Sequence, residues 1–372
     1  MVTWTQVLAR RLARHRLTEP GRNIVEVVSE MCGAHAQVLS AAEHSVGLRL
    51  ESVTRTDVQQ ALGETGDLVK SFGARGTVHL LAARDLPMWT GALGAIPSSP
   101  APAGMRLTPG QTEEVVAAIG ASLLDKPLTA DELSDQVIAR CGSWAADPVV
   151  PAFQGFWPRW RQLIPVAAGR GVLCFGPTKG RTVTYTNPQV EPQDSEVALA
   201  ELLCRYLHAY GPATPQNFAQ WMAAPRAWAV ALFASLGDRL EQIEIEDGTA
   251  WVVAGDTEFP LMAPGGLLLL PYFDAYTVGS HPRDRVFPGP AADRALAGGQ
   301  AGNYPVLTIG GTVSGVWHLR RSGKKLAVTV ESLVVLDRPQ LDELDDQVTR
   351  LGQILEGTPS LTLAPVTVGP HA

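Results

Sequence analysis

Cysteine is scarce in this 372-residue chain: it has four, widely separated, and none belongs to a C-x-x-C pair. That spacing disfavours both a disulfide framework and a structural zinc site, so we expect no bound metal. Long apolar runs are missing too, since no stretch reaches the roughly 18 apolar residues that cross a bilayer. The first residues are rich in arginine and lack the apolar core of a signal peptide. We therefore expect a cytoplasmic protein without a membrane partner.

The motifs of several enzyme classes are also missing. The chain has no glycine-rich phosphate loop, no HExxH and no GxSxG, which disfavours nucleotide hydrolysis, zinc proteolysis and serine-hydrolase chemistry. We expect no cofactor. The net charge of −7 disfavours a nucleic-acid partner only mildly, because phosphate binding depends on where the cations lie.

Two segments are locally basic. Residues 1–22 contain five arginines against one glutamate, and residues 316–326 contain four cations and no acid. The second segment covers the predicted tip of a β-hairpin, whose cations are Arg320, Arg321, Lys324 and Lys325. Either segment could form a phosphate-binding surface or an ordinary solvated face. The sequence leaves both alternatives open.

Helical patterns followed by a pair of strand patterns recur three times along the chain, which is the element order of a winged-helix module. The second copy contains Thr129 and Glu132 at the spacing of a capping box. In the third copy, Thr214 follows a Gly-Pro turn and precedes a short helix, as in a helix-turn-helix unit. Small helical packing modules that never touch DNA show the same order, so the pattern alone does not establish DNA binding.

After residue 264 the patterns become those of strands. We therefore predict an α+β fold with three tandem winged-helix modules and a C-terminal β-rich, barrel-like domain. The predicted domains are 1–98, 99–190, 191–262 and 263–372, with a Pro- and Ser-rich linker at 97–102.

One polar pair, His35 and Gln37, stands in an otherwise apolar connector between two helical patterns. If the connector is extended, both side chains point to the same side. An imidazole and a carboxamide suffice to hold a water molecule, but they are too few ligands for a metal and do not form a nucleophile–base dyad. The alternative is a histidine that caps a helix or lies in the core.

Four stretches of the chain resemble a family of winged-helix DNA glycosylases that includes an azinomycin-resistance enzyme able to unhook crosslinks. The stretches are Gly33–Gln37, Arg75–Leu80 with Asp85–Pro87, Tyr210–Thr214, and Leu270–Tyr276 with His281–Arg285. Each motif is weak by itself, but together they follow in order over about residues 5–340. The resemblance implies three winged-helix modules and a C-terminal β-domain around a basic DNA channel.

The resemblance also implies a catalytic Gln-x-Gln or Gln-x-Asp motif that positions the hydrolytic water, and this motif maps onto His35 and Gln37. The histidine departs from the usual glutamine and is similar to a branch associated with bulky guanine-alkylating antibiotics. The implied enzyme is a monofunctional glycosylase that excises bulky N7-alkylguanine adducts, crosslinks included, in self-resistance. Its partner would be double-stranded DNA with an alkylated guanine, without an obligate protein partner. A family hairpin that approaches the minor groove would correspond to residues 317–328.

Further candidates for DNA contacts lie outside the connector. Arg75, on a glycine-flanked turn, is a candidate for a phosphate contact. His281 lies in a Pro-containing loop and either contacts DNA or is merely solvated, and Arg283 and Arg285 follow it as candidate DNA-binding residues.

Two polar residues are expected to have structural roles. Asp274 follows an apolar strand, where an aspartate commonly starts an Asx-turn, and could also pair with Arg283 or Arg285. His79 is predicted to be a core or sheet residue. Two other functions remain open, namely a non-catalytic winged-helix regulator of transcription and a scaffold whose helical units bind protein.

Overall fold

The computed structural model describes residues 1–97, 101–263 and 265–370. Its helices and strands are mixed as the sequence predicts for an α+β fold. Part of the linker predicted at 97–102 lies outside the described residues. In the first segment the elements are α1 (Trp4–Arg14), α2 (Ile24–Glu30), β1 (Ala34–His35), α3 (Leu39–Leu48), α4 (Arg55–Gly63), β2 (Leu68–Phe72), β3 (Val78–Ala82) and α5 (Leu86–Gly94).

The middle of the chain contains two more groups of helices, each ending in a strand pair. The first group is α6 (Pro109–Ser122), β4 (Leu128–Thr129), α7 (Ala130–Cys141), β5 (Pro148–Pro151), β6 (Phe156–Pro158), α8 (Ile164–Gly169), β7 (Cys174–Lys179) and β8 (Thr182–Thr186). The second is α9 (Ser195–Tyr210), α10 (Pro215–Met222), α11 (Arg226–Ser235), β9 (Leu240–Ile245) and β10 (Gly248–Val253). The capping box predicted at Thr129 is present, and the short helix predicted after Thr214 begins with a second capping box.

One sheet joins the first two segments. Its six strands lie in the order β1-β3-β2-β7-β8-β4, so the strand pairs that would serve as separate wings are hydrogen-bonded neighbours. The strands β1, β2 and β3 join the strands β4, β7 and β8 where Lys70 on β2 pairs with Phe175 on β7. The element order fits the predicted winged-helix modules, whose number and boundaries stay a prediction.

The C-terminal segment combines a five-stranded sheet with helices. Its elements are β11 (Leu267–Leu270), α12 (Ala275–Gly279), α13 (Arg283–Val286), α14 (Pro290–Ala295), β12 (Val306–Ile309), β13 (Thr312–Ser322), β14 (Lys325–Ser332), α15 (Arg338–Ile354) and β15 (Thr358–Leu363). The first four strands are antiparallel neighbours and β15 pairs with β14 in parallel. The sequence analysis did not predict α15, which begins with a capping box at Asp337 and buries Leu344 and Leu351 in the core under the sheet.

Asp274 has the structural role that the sequence predicts, because its carboxylate caps α12 through the Tyr276 backbone N–H at 3.0 Å. The predicted pairing with Arg283 or Arg285 is wrong. Its ion-pair partner is instead Arg49, at the end of α3, and both side chains are fully buried. Asp274 thus joins the first segment to the C-terminal sheet.

Most arginines of the N-terminal basic segment are bound within the protein, whereas the Arg22 side chain is 84% exposed. Arg10 and Arg11 are buried, and Arg10 and Arg14 both pair with Asp256. Arg16 pairs with Glu30. The local excess of charge is therefore balanced by acids that lie elsewhere in the sequence.

Within residues 1–97, 101–263 and 265–370, no helix is both long and apolar enough to cross a membrane. The same part of the chain contains no group of three or more His, Cys, Asp and Glu side chains arranged to hold a metal ion.

Candidate active site

The short strand β1 places His35 on a sheet. After α2 ends, Cys32 and Gly33 adopt positive φ angles of 58° and 87°, which turns the chain sharply. A Cβ on Gly33 would lie 2.7 Å from Leu81, so the close approach to β3 requires glycine. His35 then lies opposite His79 in an antiparallel pair. The extended connector of the sequence prediction is therefore present.

His35 and Gln37 line the same cavity, which has a volume of about 770 Å³ and is open to solvent. The structure thus brings the predicted pair together on one wall. The two side chains differ in burial, because His35 is only 6% exposed whereas Gln37 is exposed. A water molecule between them would contact one desolvated imidazole and one solvated amide.

The hydrogen bonds of His35 define its tautomer. Arg75 Nη2 lies 3.0 Å from His35 Nε2. A guanidinium can only donate, so Nε2 accepts with its lone pair and the ring proton is on Nδ1. Nδ1 lies 3.5 Å from the Thr77 hydroxyl, which itself donates to the Ala74 carbonyl at 2.9 Å.

The surroundings of His35 keep its ring neutral. Burial, the neighbouring His79 ring and the Arg75 charge all lower its pKa well below the ordinary value of 6.5. The two imidazole rings have their centroids 4.0 Å apart. His79 is buried within β3, as predicted, and its Nδ1 donates to the Thr77 carbonyl at 2.8 Å. At neutral pH both rings are uncharged.

Arg75 is held in position by the turn between β2 and β3. Its φ of 59° lies in the left-handed region, which non-glycine residues adopt rarely. The turn is closed by the Gly73 N–H to the Thr77 carbonyl at 2.9 Å and by the Gly76 N–H to the Gly73 carbonyl at 3.0 Å. The backbone of Arg75 is therefore fixed, and its partly exposed side chain extends beside His35.

The far walls of the cavity come from α10 and from the loop before β12. They carry several carboxamides that the sequence analysis did not single out, namely Gln216, Asn217, Gln220, Gln300 and Asn303. Within the described ranges, no cavity-lining residue is an aspartate, a glutamate or a lysine. The capping box at Thr214 was a signal for the start of α10, but nothing local in the sequence indicated that its amides face His35.

Two of the predicted DNA-binding residues after β11 also line the cavity. His281 is mostly buried, not merely solvated, and its pKa falls to about 3 because of burial and the nearby charges of Arg283, Arg11 and Arg75. Arg283 donates to the Thr277, Val278 and Ser280 carbonyls. Its guanidinium therefore stabilises the backbone of α12 beneath the cavity.

The remaining predicted DNA-binding residues lie away from the cavity lining. Arg285 pairs with Asp247 at 2.6 Å and lies over the Trp4 ring. In the β13–β14 hairpin, Arg321 donates to the Leu355 and Gly323 carbonyls. The other hairpin cations are exposed, and they are Arg320, Lys324 and Lys325.

These features fit the class of enzymes that act on nucleic acid, because the open cavity combines cations with amides and has no carboxylate among its described lining residues. Comparison with known proteins gives its family. Residues 28–354 match the family model described as DNA glycosylase AlkZ-like. The chain therefore belongs to the AlkZ-like family and is a DNA glycosylase.

Similarity in sequence and similarity in structure both agree with this assignment. The chain is 30% identical over 340 residues to an interstrand DNA cross-link repair glycosylase of Streptomyces sahachiroi, covering 85% of this chain and 88% of the relative. A solved structure, the Streptomyces sahachiroi DNA glycosylase AlkZ, superposes with a TM-score of 0.80 at 25% identity. That match covers 98% of this chain and 100% of the solved one.

Proposed function

We propose that this glycosylase excises bulky N7-alkylguanine adducts, interstrand crosslinks included, from double-stranded DNA and leaves an abasic site. The observation that carries the proposal is the composition of the cavity: a neutral imidazole and an amide, with cations nearby and no carboxylate among the described residues that line it. Such a site suits a base that is already a good leaving group.

The chemistry follows from the charge of the substrate. Alkylation at N7 makes the guanine cationic, so when the C1′–N9 bond breaks, its electron pair neutralises the base and no acid is required. A water molecule forms the new C1′–O bond and gives its proton to His35. The Gln37 carbonyl oxygen holds that water and directs its dipole at the cationic sugar. General-base assistance of this kind contributes about 10²–10⁴-fold.

Two further properties follow from the cavity. Because no lysine lines it within the described chain, no Schiff base forms and strand cleavage does not accompany base release. Because it is open, with a volume of about 770 Å³, it admits bulky adducts that a closed base-flipping pocket would exclude. We infer that the biological role is resistance to an alkylating natural product, because an agent that crosslinks DNA would form the lesions that the Streptomyces sahachiroi relative repairs.

The test is base release from a duplex that carries one N7-alkylguanine, with alkali treatment to reveal abasic sites. His35→Ala and Gln37→Ala each slow the release under single-turnover conditions, whereas DNA affinity and thermal unfolding stay close to wild type. Gln242→Ala, which changes an exposed glutamine on β9, is the matched control. Equal release by wild type and both variants removes the pair from the mechanism.

The same assay addresses the alternative functions. A non-catalytic regulator would bind the duplex with the usual salt dependence but release no base. A protein-binding scaffold would not bind DNA even at low salt. Membership of a glycosylase family disfavours both alternatives.

A further inference from the structure

The nitrogen that must accept the water proton is already occupied. His35 Nε2 accepts the Arg75 N–H at 3.0 Å, and Nδ1 carries the ring proton. The ring therefore has no free lone pair for a water molecule in this arrangement. His35, which could act as the general base, and Arg75, which occupies its Nε2, therefore lie side by side in the same cavity.

Arg75 is poised to leave this contact. Within the described ranges no carboxylate lies within 4.0 Å of its guanidinium, so its charge has no ion-pair partner. Burial lowers its pKa, which is the sign of a cation that has lost solvation without gaining a counter-charge. Since its backbone is fixed in the turn, only rotation of the side chain can move the guanidinium.

We propose that Arg75 is a positioning residue that masks His35 Nε2 in the free enzyme and unmasks it when a DNA phosphate draws the guanidinium away. This inference rests on the proposed function, because it concerns the same water-activating imidazole. It adds a coupling between DNA binding and catalysis: the base becomes available only when a backbone phosphate is present.

The energetics favour the exchange. The bond between Arg75 and His35 joins a cation to a neutral ring, whereas an arginine–phosphate bond joins opposite charges and is frequently bidentate. Both bonds have an ionised donor, but only the phosphate adds the attraction of an opposite charge and a second, parallel hydrogen bond. Once the guanidinium leaves, Nε2 faces the cavity, and a water molecule can take its place.

The first experiment reads the imidazole directly and needs no damaged substrate. Histidine is labelled with ¹⁵N, and the His35 signals are assigned by their loss in His35→Gln. We expect the Nδ1–H tautomer in the free protein and a shift of the Nε2 resonance when an undamaged duplex is added. In Arg75→Leu the resonance already lies near the DNA-bound position, and DNA moves it less than half as far. A resonance that stays in place in wild type, or moves equally in the variant, overturns the proposal.

The second experiment separates binding from chemistry. Arg75→Leu weakens DNA affinity about tenfold and lowers the salt slope by about 0.9, so the enzyme concentration that gives half of the maximal single-turnover rate rises about tenfold. Arg75→Lys restores the slope, because it keeps the charge. Arg338→Leu, at an exposed arginine on α15, changes neither quantity. A hundredfold loss of the single-turnover rate with unchanged affinity contradicts the unmasking.

The two proposals fail in different ways. If wild type releases no base but the Nε2 resonance follows DNA binding as described, the proposed function is wrong and the phosphate-driven exchange stands. If base is released while the resonance does not respond, the glycosylase proposal stands and the masking does not.

Discussion

Arg49 and Asp274 form a bidentate ion pair with no exposure to solvent, with Nη–O distances of 2.8 and 2.9 Å. The Ser45 hydroxyl donates a third hydrogen bond to the carboxylate at 2.7 Å. Burial alone would raise the pKa of Asp274, but the charge of Arg49 and these hydrogen bonds hold it below the ordinary value. The pair connects α3 to the start of α12, directly after Phe273 in the cavity wall.

Asp274→Asn keeps the size of the side chain and its oxygen for capping α12, but it leaves the buried Arg49 charge without a counter-charge, bonded only to neutral groups such as Ser45. We expect a loss of about 3–5 kcal/mol in the free energy of unfolding, the range for breaking a buried pair. Urea unfolding measures it. The control is Asp284→Asn, at a carboxylate that is 77% exposed, which changes stability by under about 0.5 kcal/mol. A loss below about 1 kcal/mol at Asp274 would show that the pair is dispensable.

The pH profile of base release tests the neutral state of His35. A general base works only when unprotonated, and burial, His79 and Arg75 lower the pKa of His35 well below 6.5. We therefore expect a constant single-turnover rate from pH 8 down through pH 6.5, with a decline only in more acidic buffer. Spontaneous depurination is measured in parallel and subtracted. A rate that already falls tenfold per pH unit between pH 7.5 and 6.5 would mean that His35 titrates at or above its ordinary pKa.

The buried histidines make the fold sensitive to acid. Burial is the first cause that lowers the pKa of His15 to about 3, and of His44 and His79 to about 4. Below pH 6.5 the unfolded chain binds protons that the native state excludes. The stabilisation is therefore complete above pH 6.5 and is lost as the pH falls toward the folded-state values. Each such histidine contributes a slope of up to about 1.4 kcal/mol per pH unit.

His15 offers a direct test of this slope, because its two ring nitrogens are buried without hydrogen-bond partners in the described structure. In His15→Leu the dependence of unfolding free energy on pH between 6 and 4 decreases by about 1.4 kcal/mol per unit. Urea titrations at several pH values measure it. An unchanged slope would show that His15 titrates equally in both states.

The β13–β14 hairpin is the remaining candidate for a phosphate contact. Replacing the exposed cations Arg320, Lys324 and Lys325 with serine lowers the salt slope of DNA binding by about 0.9 for each phosphate contact removed. Arg321 is left intact because it bonds to two backbone carbonyls. Binding isotherms at several salt concentrations measure the slope, with Arg338→Ser as the control. A salt slope equal to that of wild type would mean that these hairpin cations contact solvent and not DNA phosphates.

Local periodicity predicted the parts of this molecule that depend on local geometry. The alternation at His35 and Gln37 was sufficient to place both side chains on one wall, because side chains in an extended segment alternate with period two. The Gly-Pro turn before Thr214 likewise predicted the start of α10. The sequence of α15 also contains local helix signals, a cap at Asp337 and an apolar stripe. Strand patterns precede it in the chain, and the whole segment after residue 264 was therefore predicted to be β-rich.

The rest depends on contacts between residues that are distant in sequence. The amides of Gln216 and Gln300 line one cavity although 84 positions separate them, and no period reveals that. The pairing of Arg49 with Asp274 is equally non-local. The basic segment 1–22 misled for the same reason, since its counter-charges come from distant parts of the chain.

A cell presents its repair enzymes with intact purines in vast excess over damaged ones. Most sites must reject that excess by shape, which restricts how large a lesion they can admit. In the proposed mechanism, a cavity with no carboxylic acid among its described lining residues offers no acid to protonate a departing neutral purine, so undamaged nucleotides are not released. A wide opening then carries no penalty in that mechanism, and one cavity can accept adducts of very different size.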